Sequence, residues 1–199
     1  QSIGGGGGQI GSVNGDAQLG SVNSGGSQAA GSITITNNGI LDLGNQTVNL
    51  SRGITGTGTV RASGSGTLAI TPGASVSFGG AITSNLALSV GSTSTLTLYG
   101  NNNLTGGITM AGRLVIGDTG AAGGSGNTIT TSGSVISYAN GVDNTANIQI
   151  ASNTTQLEVL GTDSATQSGV ISEDTAGRGF EKIGSGTLIL SATNSYSGT

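Results

Sequence analysis

Gly91-Ser92-Thr93-Ser94-Thr95-Leu96-Thr97-Leu98-Tyr99-Gly100-Asn101-Asn102-Asn103-Leu104-Thr105-Gly106 is the stretch whose reading decides the fold. Its centre alternates. Leu96 and Leu98 fall on one side of an extended chain, and Thr95 and Thr97 fall on the other, the period-two pattern of a half-buried strand. Gly, Ser and Asn runs flank it on both sides, and these residues tolerate the backbone of tight turns.

The same alternation recurs outward in both directions. Ser32-Ile33-Thr34-Ile35-Thr36, Thr67-Leu68-Ala69-Ile70, Leu86-Ala87-Leu88-Ser89-Val90, Asn147-Ile148-Gln149-Ile150 and Thr187-Leu188-Ile189-Leu190 each predict a short strand with aliphatics inward and Thr, Ser or Asn outward. No long window carries apolar residues at three-to-four spacing, and glycine interrupts every candidate helix. The opening stretch also has a longer-range copy. Ile183-Gly184-Ser185-Gly186-Thr187-Leu188-Ile189-Leu190-Ser191-Ala192-Thr193-Asn194-Ser195-Tyr196-Ser197-Gly198 repeats its skeleton 92 residues later: Thr-Leu-x-Leu, then Asn, an apolar or aromatic residue, Ser or Thr, and Gly. Gly64-Ser65-Gly66-Thr67-Leu68-Ala69-Ile70 is a partial third copy.

The second copy closely resembles the strand repeat of passenger regions in bacterial autotransporters. The first copy continues as Gly107-Ile108-Thr109-Met110-Ala111-Gly112-Arg113-Leu114-Val115-Ile116-Gly117, which is similar to that family's Gly-Gly-Thr-Thr-x-x-x-Gly-x-Leu-x-x-Gly extension. Ser168-Gly169-Val170-Ile171-Ser172, ahead of Phe180-Glu181-Lys182, resembles the family's usual lead-in. The resemblance covers residues from about 91 to 199, and residues 1–60 share only its texture. Leu104 stands where an aromatic is usual. What the resemblance implies is a right-handed parallel β-helix, an all-β solenoid rod, exported across the outer membrane through a C-terminal β-barrel. The chain lacks the aromatic girdles such a barrel needs, so it is expected to be a piece of something longer or a subunit that joins others.

Composition agrees with a thin, repetitive β architecture. Forty of the 199 residues are glycine, one is proline, 7% are charged and 33% are hydrophobic. An ordinary domain has roughly 25% charged residues and about 7% glycine. Phe78, Phe180, Tyr99, Tyr138 and Tyr196 are the whole aromatic set, so the core must be aliphatic. Three short strands with turns make roughly 20 residues per coil, with coils about 4.8 Å apart. The formal charge is −4, and Arg52, Arg61, Arg113 and Arg178 are far apart, so no basic run suits a nucleic-acid backbone. No stretch of about 20 apolar residues would span a membrane as a helix. Cysteine is absent, which leaves no disulfide framework and puts stability on sheet hydrogen bonds and stacking.

Two regions are expected. Residues 1–31 form a Gly-rich N-terminal segment in which Gln9-Ile10-Gly11-Ser12-Val13-Asn14 recurs as Gln18-Leu19-Gly20-Ser21-Val22-Asn23, and these nine-residue units read as first solenoid coils with Ile10 and Leu19, Val13 and Val22, facing a common core. Residues 32–199 form the parallel β-helix proper, with strand repeats at 91–117 and 183–199. The glycine run Gly4 to Gly8 reads as a lead-in or a tight turn; a phosphate cradle would need a strand-to-helix turn and a lysine.

Chemistry is scarce. Histidine is absent, so a Ser–His–Asp triad is impossible, and without His or Cys the usual zinc and transition-metal sites are excluded. The Gly-Asp-Ser context of the family's serine-protease members does not occur. Asp16, Asp42, Asp118, Asp143 and Asp163 stand singly and read as turn formers, although stacked coils are able to bring two acids together across a cleft, as glycoside hydrolysis requires. Glu173-Asp174-Thr175-Ala176-Gly177-Arg178-Gly179-Phe180-Glu181-Lys182 is the densest charge cluster and reads as a solvated turn, because calcium needs six or more oxygens. Asn101-Asn102-Asn103 is a turn or part of an asparagine ladder. The expectation is therefore no catalytic residue, no cofactor and no metal. The chain is expected to be a structural or adhesive segment of a secreted or cell-surface autotransporter-type protein, a rigid stalk or binding surface for a host or bacterial receptor or glycan. The alternative is a self-associating extracellular fibre subunit that stacks head to tail, and a third reading is a polysaccharide-acting β-helix enzyme, supported by the fold's precedent alone.

Overall fold

Each alternating segment forms one side of a coil, and successive coils lie on one another in parallel register. The computed structural model describes residues 2–3, 12–13, 16–19, 26–30, 33–35, 39–51 and 54–199, the first four of these stretches as backbone strands only. The described residues contain strands and no α-helix, and each strand pairing is parallel. The fold is a β-solenoid of about seven turns.

The first face has eight rungs: Gly26–Ala30, Gln46–Leu50, Thr67–Ile70, Ala87–Val90, Ile108–Met110, Thr128–Thr131, Asn147–Ile150 and Ile171–Glu173. The second face carries Ser75–Phe78, Thr95–Leu98, Arg113–Ile116, Val135–Tyr138, Thr155–Val159 and Phe180–Ile183, and Ile54–Gly56 abuts its N-terminal edge. The third runs from Ser2–Ile3 and Asp16–Leu19 through Ile40–Asp42, Thr59–Ala62 and Ala81–Ser84 to Asn103–Leu104, then resumes with Asp143–Asn144, Ser164–Gln167 and Thr187–Leu190. A turn fills the interruption. The Asn102 amide donates to the Gly120 carbonyl, and the Asp143 amide donates to Thr119 Oγ1, so residues 119–120 sit between the two sheets.

Pairing register explains why the rod holds together without disulfides. Val48, Leu68, Leu88, Ile108, Ile129, Ile148 and Ile171 stack in one inward column of the first face. Val76, Leu96, Leu114, Ile136 and Leu157 do so on the second. All of these side chains are buried, and each contributes roughly 1.5–3 kcal/mol of transfer free energy against the cost of ordering the chain. Coil length is not constant. Thr47, Thr67 and Ala87 step by twenty residues, whereas Thr155 pairs with Phe180, so the turns absorb the difference while the strands keep their register.

The long repeat has a different place in space from its place in sequence. Its three copies fall on three faces: Thr67–Ile70 on the first, Thr95–Leu98 on the second and Thr187–Leu190 on the third. A Thr-Leu-x-Leu segment satisfies any side of the coil, because each needs only inward aliphatics and outward polar groups. In the N-terminal region, Ser2–Ile3 pairs with Gln18 and Leu19, and Ser12–Val13 pairs with Thr34 and Ile35. Ile10, Val22, the run Gly4 to Gly8 and Arg52 lie outside the described residues.

Among the described residues, one buried side-chain group has no partner. Ser134 is 3% exposed, and its hydroxyl makes no hydrogen bond. Burying an unpaired hydroxyl costs about 1–3 kcal/mol. Ser134→Ala is therefore expected to raise the urea midpoint or leave it unchanged, read by circular dichroism; a loss of more than about 1 kcal/mol would mean that the hydroxyl is satisfied in solution.

Candidate functional site

Polar chemistry is found in three settings: sealed inside the coils, clamped at their corners, and displayed on the first face. Inside, Gln167 is fully buried and uses all of its hydrogen-bonding capacity. Its Oε1 accepts from the Tyr138 hydroxyl (3.0 Å) and from Asn144 Nδ2 (2.7 Å), while its Nε2 donates to the Ala146 and Gly169 carbonyls (2.9 Å each). Burial pushes the Tyr138 phenol well above its ordinary value, so it stays a neutral donor. Asn102 acts alike one sheet earlier: Oδ1 accepts from the Ile82 amide, and Nδ2 donates to the Ala121 and Tyr99 carbonyls. Of the Asn101–Asn103 run, only this middle residue is buried. Both amides satisfy backbone groups along the third face and, being buried, have no access to a ligand.

Corner clamps join one coil to the next. Asp42 Oδ1 accepts from the Gly44 and Ser63 amides (2.9 Å each), and Oδ2 accepts from Arg61 Nε at 3.0 Å. Burial raises its pKa, but the Ser63 and Gly44 amides, with Ser63's side chain and Arg61, outweigh burial and hold the carboxyl below its ordinary 3.8. Asp118 accepts from the Gly100 amide, and Asp143 accepts from the Ser168 hydroxyl. Side chains of Arg113 and Glu158 pair across the intervening coil; that contact, foremost, holds Glu158 below its ordinary 4.5 against the opposing effect of burial.

A pH dependence follows. Both carboxyls are depressed in the fold, so each contributes stability that is fully present above its unfolded pKa, near 3.8 for Asp42 and 4.5 for Glu158, and that is lost as pH falls through the lower folded value. The melting temperature is expected to stay level from about pH 7 to about pH 5 and to drop below about pH 4. Asp42→Ala lowers it at neutral pH and flattens the acid drop. Parallel falls for both proteins in melts across that range would remove Asp42 as a source of the dependence.

The sequence's charge cluster is a turn that ties down residues 197–198. Glu173 accepts from the Ser197 hydroxyl and the Arg178 amide, and the first of these contacts chiefly lowers its pKa despite burial. Asp174 pairs with Arg178 at 3.1 Å. A depression of about 400 Å³ beside it is lined by Asn153, Phe180, Glu181 and Ser197, among others. Among the described residues no three His, Cys, Asp or Glu side chains group as metal ligands. The single acids Asp42, Asp118 and Asp143 bind donors of neighbouring coils, and the side chain of Asp16 lies outside the described residues.

Outward positions of the first face form two columns, one from Thr47 to Val170 and the other from Asn49 to Ser172. Neither contains a charged residue. At their C-terminal end lies an open groove of about 490 Å³ lined by Thr128, Thr130, Asn147, Gln149, Val170 and Ser172. Alternation marks these positions as outward, but only the stacked register shows that they are contiguous. Compared with known proteins, the chain matches no family model, no curated protein and no solved structure.

Proposed function

We propose that this chain is a structural and adhesive β-solenoid segment of a secreted, autotransporter-type surface protein, exported across the outer membrane and acting as a rigid stalk with a binding face rather than as an enzyme. The observation that carries the reading is the uninterrupted parallel stack of the first face, which continues through every coil from Gly26 to Glu173. A rod of this kind transmits position without chemistry, because each coil contacts only its neighbours and presents the same side in the same direction. The resemblance of residues 91–117 and 183–199 to passenger repeats supports the compartment and the export route. Absence of histidine and cysteine supports a non-catalytic role. The partner on this reading is a surface receptor or glycan. The test is adherence: beads coated with the purified chain should attach to bacterial or host cells, and beads carrying a globular protein of equal charge should not. Equal attachment of both sinks the adhesive half of the reading.

Self-association into fibres is the second reading. The strand Thr187–Leu190 carries Ile189 at an outward position in register with Thr166, where it is 50% exposed and a second copy of the chain would cover it. Light scattering that shows a monomer at every concentration removes it.

A further inference from the structure

Charge is distributed unevenly around the rod. Asp42, Arg61 and Asp143 belong to the third face, and Arg113, Glu158, Glu181 and Lys182 belong to the second. The first face carries one charge among the described residues, Glu173, which lies in register with inward Ile150 and accepts from Ser197 and the Arg178 amide, and its outward columns carry none from Thr47 to Ser172. Seven rungs about 4.8 Å apart make a neutral strip roughly 30 Å long, studded with hydroxyls and carboxamides.

The groove at the end of that strip is built from side chains of two kinds. Asn147 is held rigidly, with Nδ2 donating to the Ser125 carbonyl and Oδ1 accepting from the Val170 amide. Thr130 and Gln149 are weakly committed: their one mutual contact is 3.5 Å, the limit of a hydrogen bond. Thr128 makes no side-chain hydrogen bond among the described residues. Val170 is 39% exposed and adds the one apolar edge. Such a site offers donors and acceptors in a repeating row, a small apolar contact and no charge.

We infer that the first face, centred on the groove between Thr130, Gln149 and Val170, binds a neutral linear polysaccharide along the rod axis. This rests on the adhesive reading and names its ligand class. Sugar hydroxyls both donate and accept, matching Thr, Asn and Gln, and the C–H side of a sugar ring matches Val170. Along the described outward columns of this face a polyanion such as nucleic acid or a sulfated glycan finds no cation, and a protein partner finds no apolar cluster to bury.

The experiment is calorimetric titration of the full chain with neutral hexasaccharides of glucose and of mannose, with heparin as the charged comparator. At least one neutral hexasaccharide is expected to bind saturably, and its affinity should be unchanged between about 0.05 and about 0.5 M salt. The double substitution Thr130→Ala/Gln149→Ala should weaken it by about tenfold or more, while Thr97→Ala on the second face leaves it intact and both proteins melt as the parent does. No neutral saccharide bound at about millimolar concentration, binding of heparin alone that salt abolishes, or an affinity indifferent to the double substitution each overturns the inference. A dimer that the double substitution dissolves, with no saccharide bound, overturns it in favour of a second copy. Cell adherence of coated beads separates the two levels: if it persists while saccharides fail, the ligand class alone is wrong, and if it is lost as well, the adhesive reading falls too.

Discussion

Gly169→Ala is expected to destabilise the C-terminal coils by about 3 kcal/mol or more, although it adds a single methyl group. A Cβ at this position would lie 2.1 Å from the Ala146 carbonyl oxygen, 2.5 Å from the Ala146 carbonyl carbon and 2.6 Å from the Thr145 oxygen. All three are backbone atoms of the preceding coil. They cannot yield without breaking pairing, because the Gly169 and Ser168 amides both donate to Asn144 and the Ile148 amide donates to Val170. Here glycine is required for close approach of two backbones. Gly124 supplies the control, since nothing lies within 4 Å of its added Cβ; Gly124→Ala should change stability by less than about 0.5 kcal/mol. Urea denaturation of both variants checks the contrast, and equal midpoints would refute the coil-on-coil contact. Because stability in a solenoid is a sum of neighbouring contacts, amide exchange should show the damage concentrated around residues 144–171, with the strands near Leu68 still protected.

Gln167→Leu should cost about 3 kcal/mol or more, even though it places a hydrophobic residue of similar size in a fully buried position. It leaves the Tyr138 hydroxyl and part of Asn144 Nδ2 without an acceptor, and the Gly169 carbonyl loses the Gln167 donor. Each stranded group costs about 1–3 kcal/mol. Tyr138→Phe alone removes one donor and should cost about 1 kcal/mol. In the Gln167→Leu background the same change should cost much less, because its partner has already gone, which gives a coupling of about 1 kcal/mol in a double-mutant cycle. Additive effects would show that the hydroxyl finds another partner. If Gln167→Leu were neutral, the buried network would be incidental to the fold.

Much of the architecture is legible residue by residue. The alternating segments at 33–35, 67–70, 87–90, 95–98, 147–150 and 187–190 are all strands, since a period-two pattern between turn residues has one physical solution. Other parts are not legible. Gln167 occupies an inward position that alternation alone assigns to an aliphatic, and its partners Tyr138 and Asn144 come from 29 and 23 residues earlier. Which residues meet at such distances depends on coil lengths that vary from turn to turn. For the same reason the copies of the long repeat occupy different faces, although their sequences align.

The candidate binding face divides in the same way. That Thr128, Thr130, Asn147 and Gln149 point outward is readable from their neighbours Ile129, Ile148 and Ile150. That they form one groove, together with Val170 and Ser172, required the register Thr128 to Asn147 and Gln149 to Ser172.

Sequence by itself determined the class of this protein: short strands, glycine-bearing turns, an aliphatic core and no histidine or cysteine, because these follow from local periodicity and side-chain chemistry. Tertiary structure alone decided the register, the three-faced distribution of charge, the buried amide network and the neutral groove. Each of those is a contact between coils about twenty residues apart in sequence and about 4.8 Å apart in space, and no local pattern states which rung lies on which.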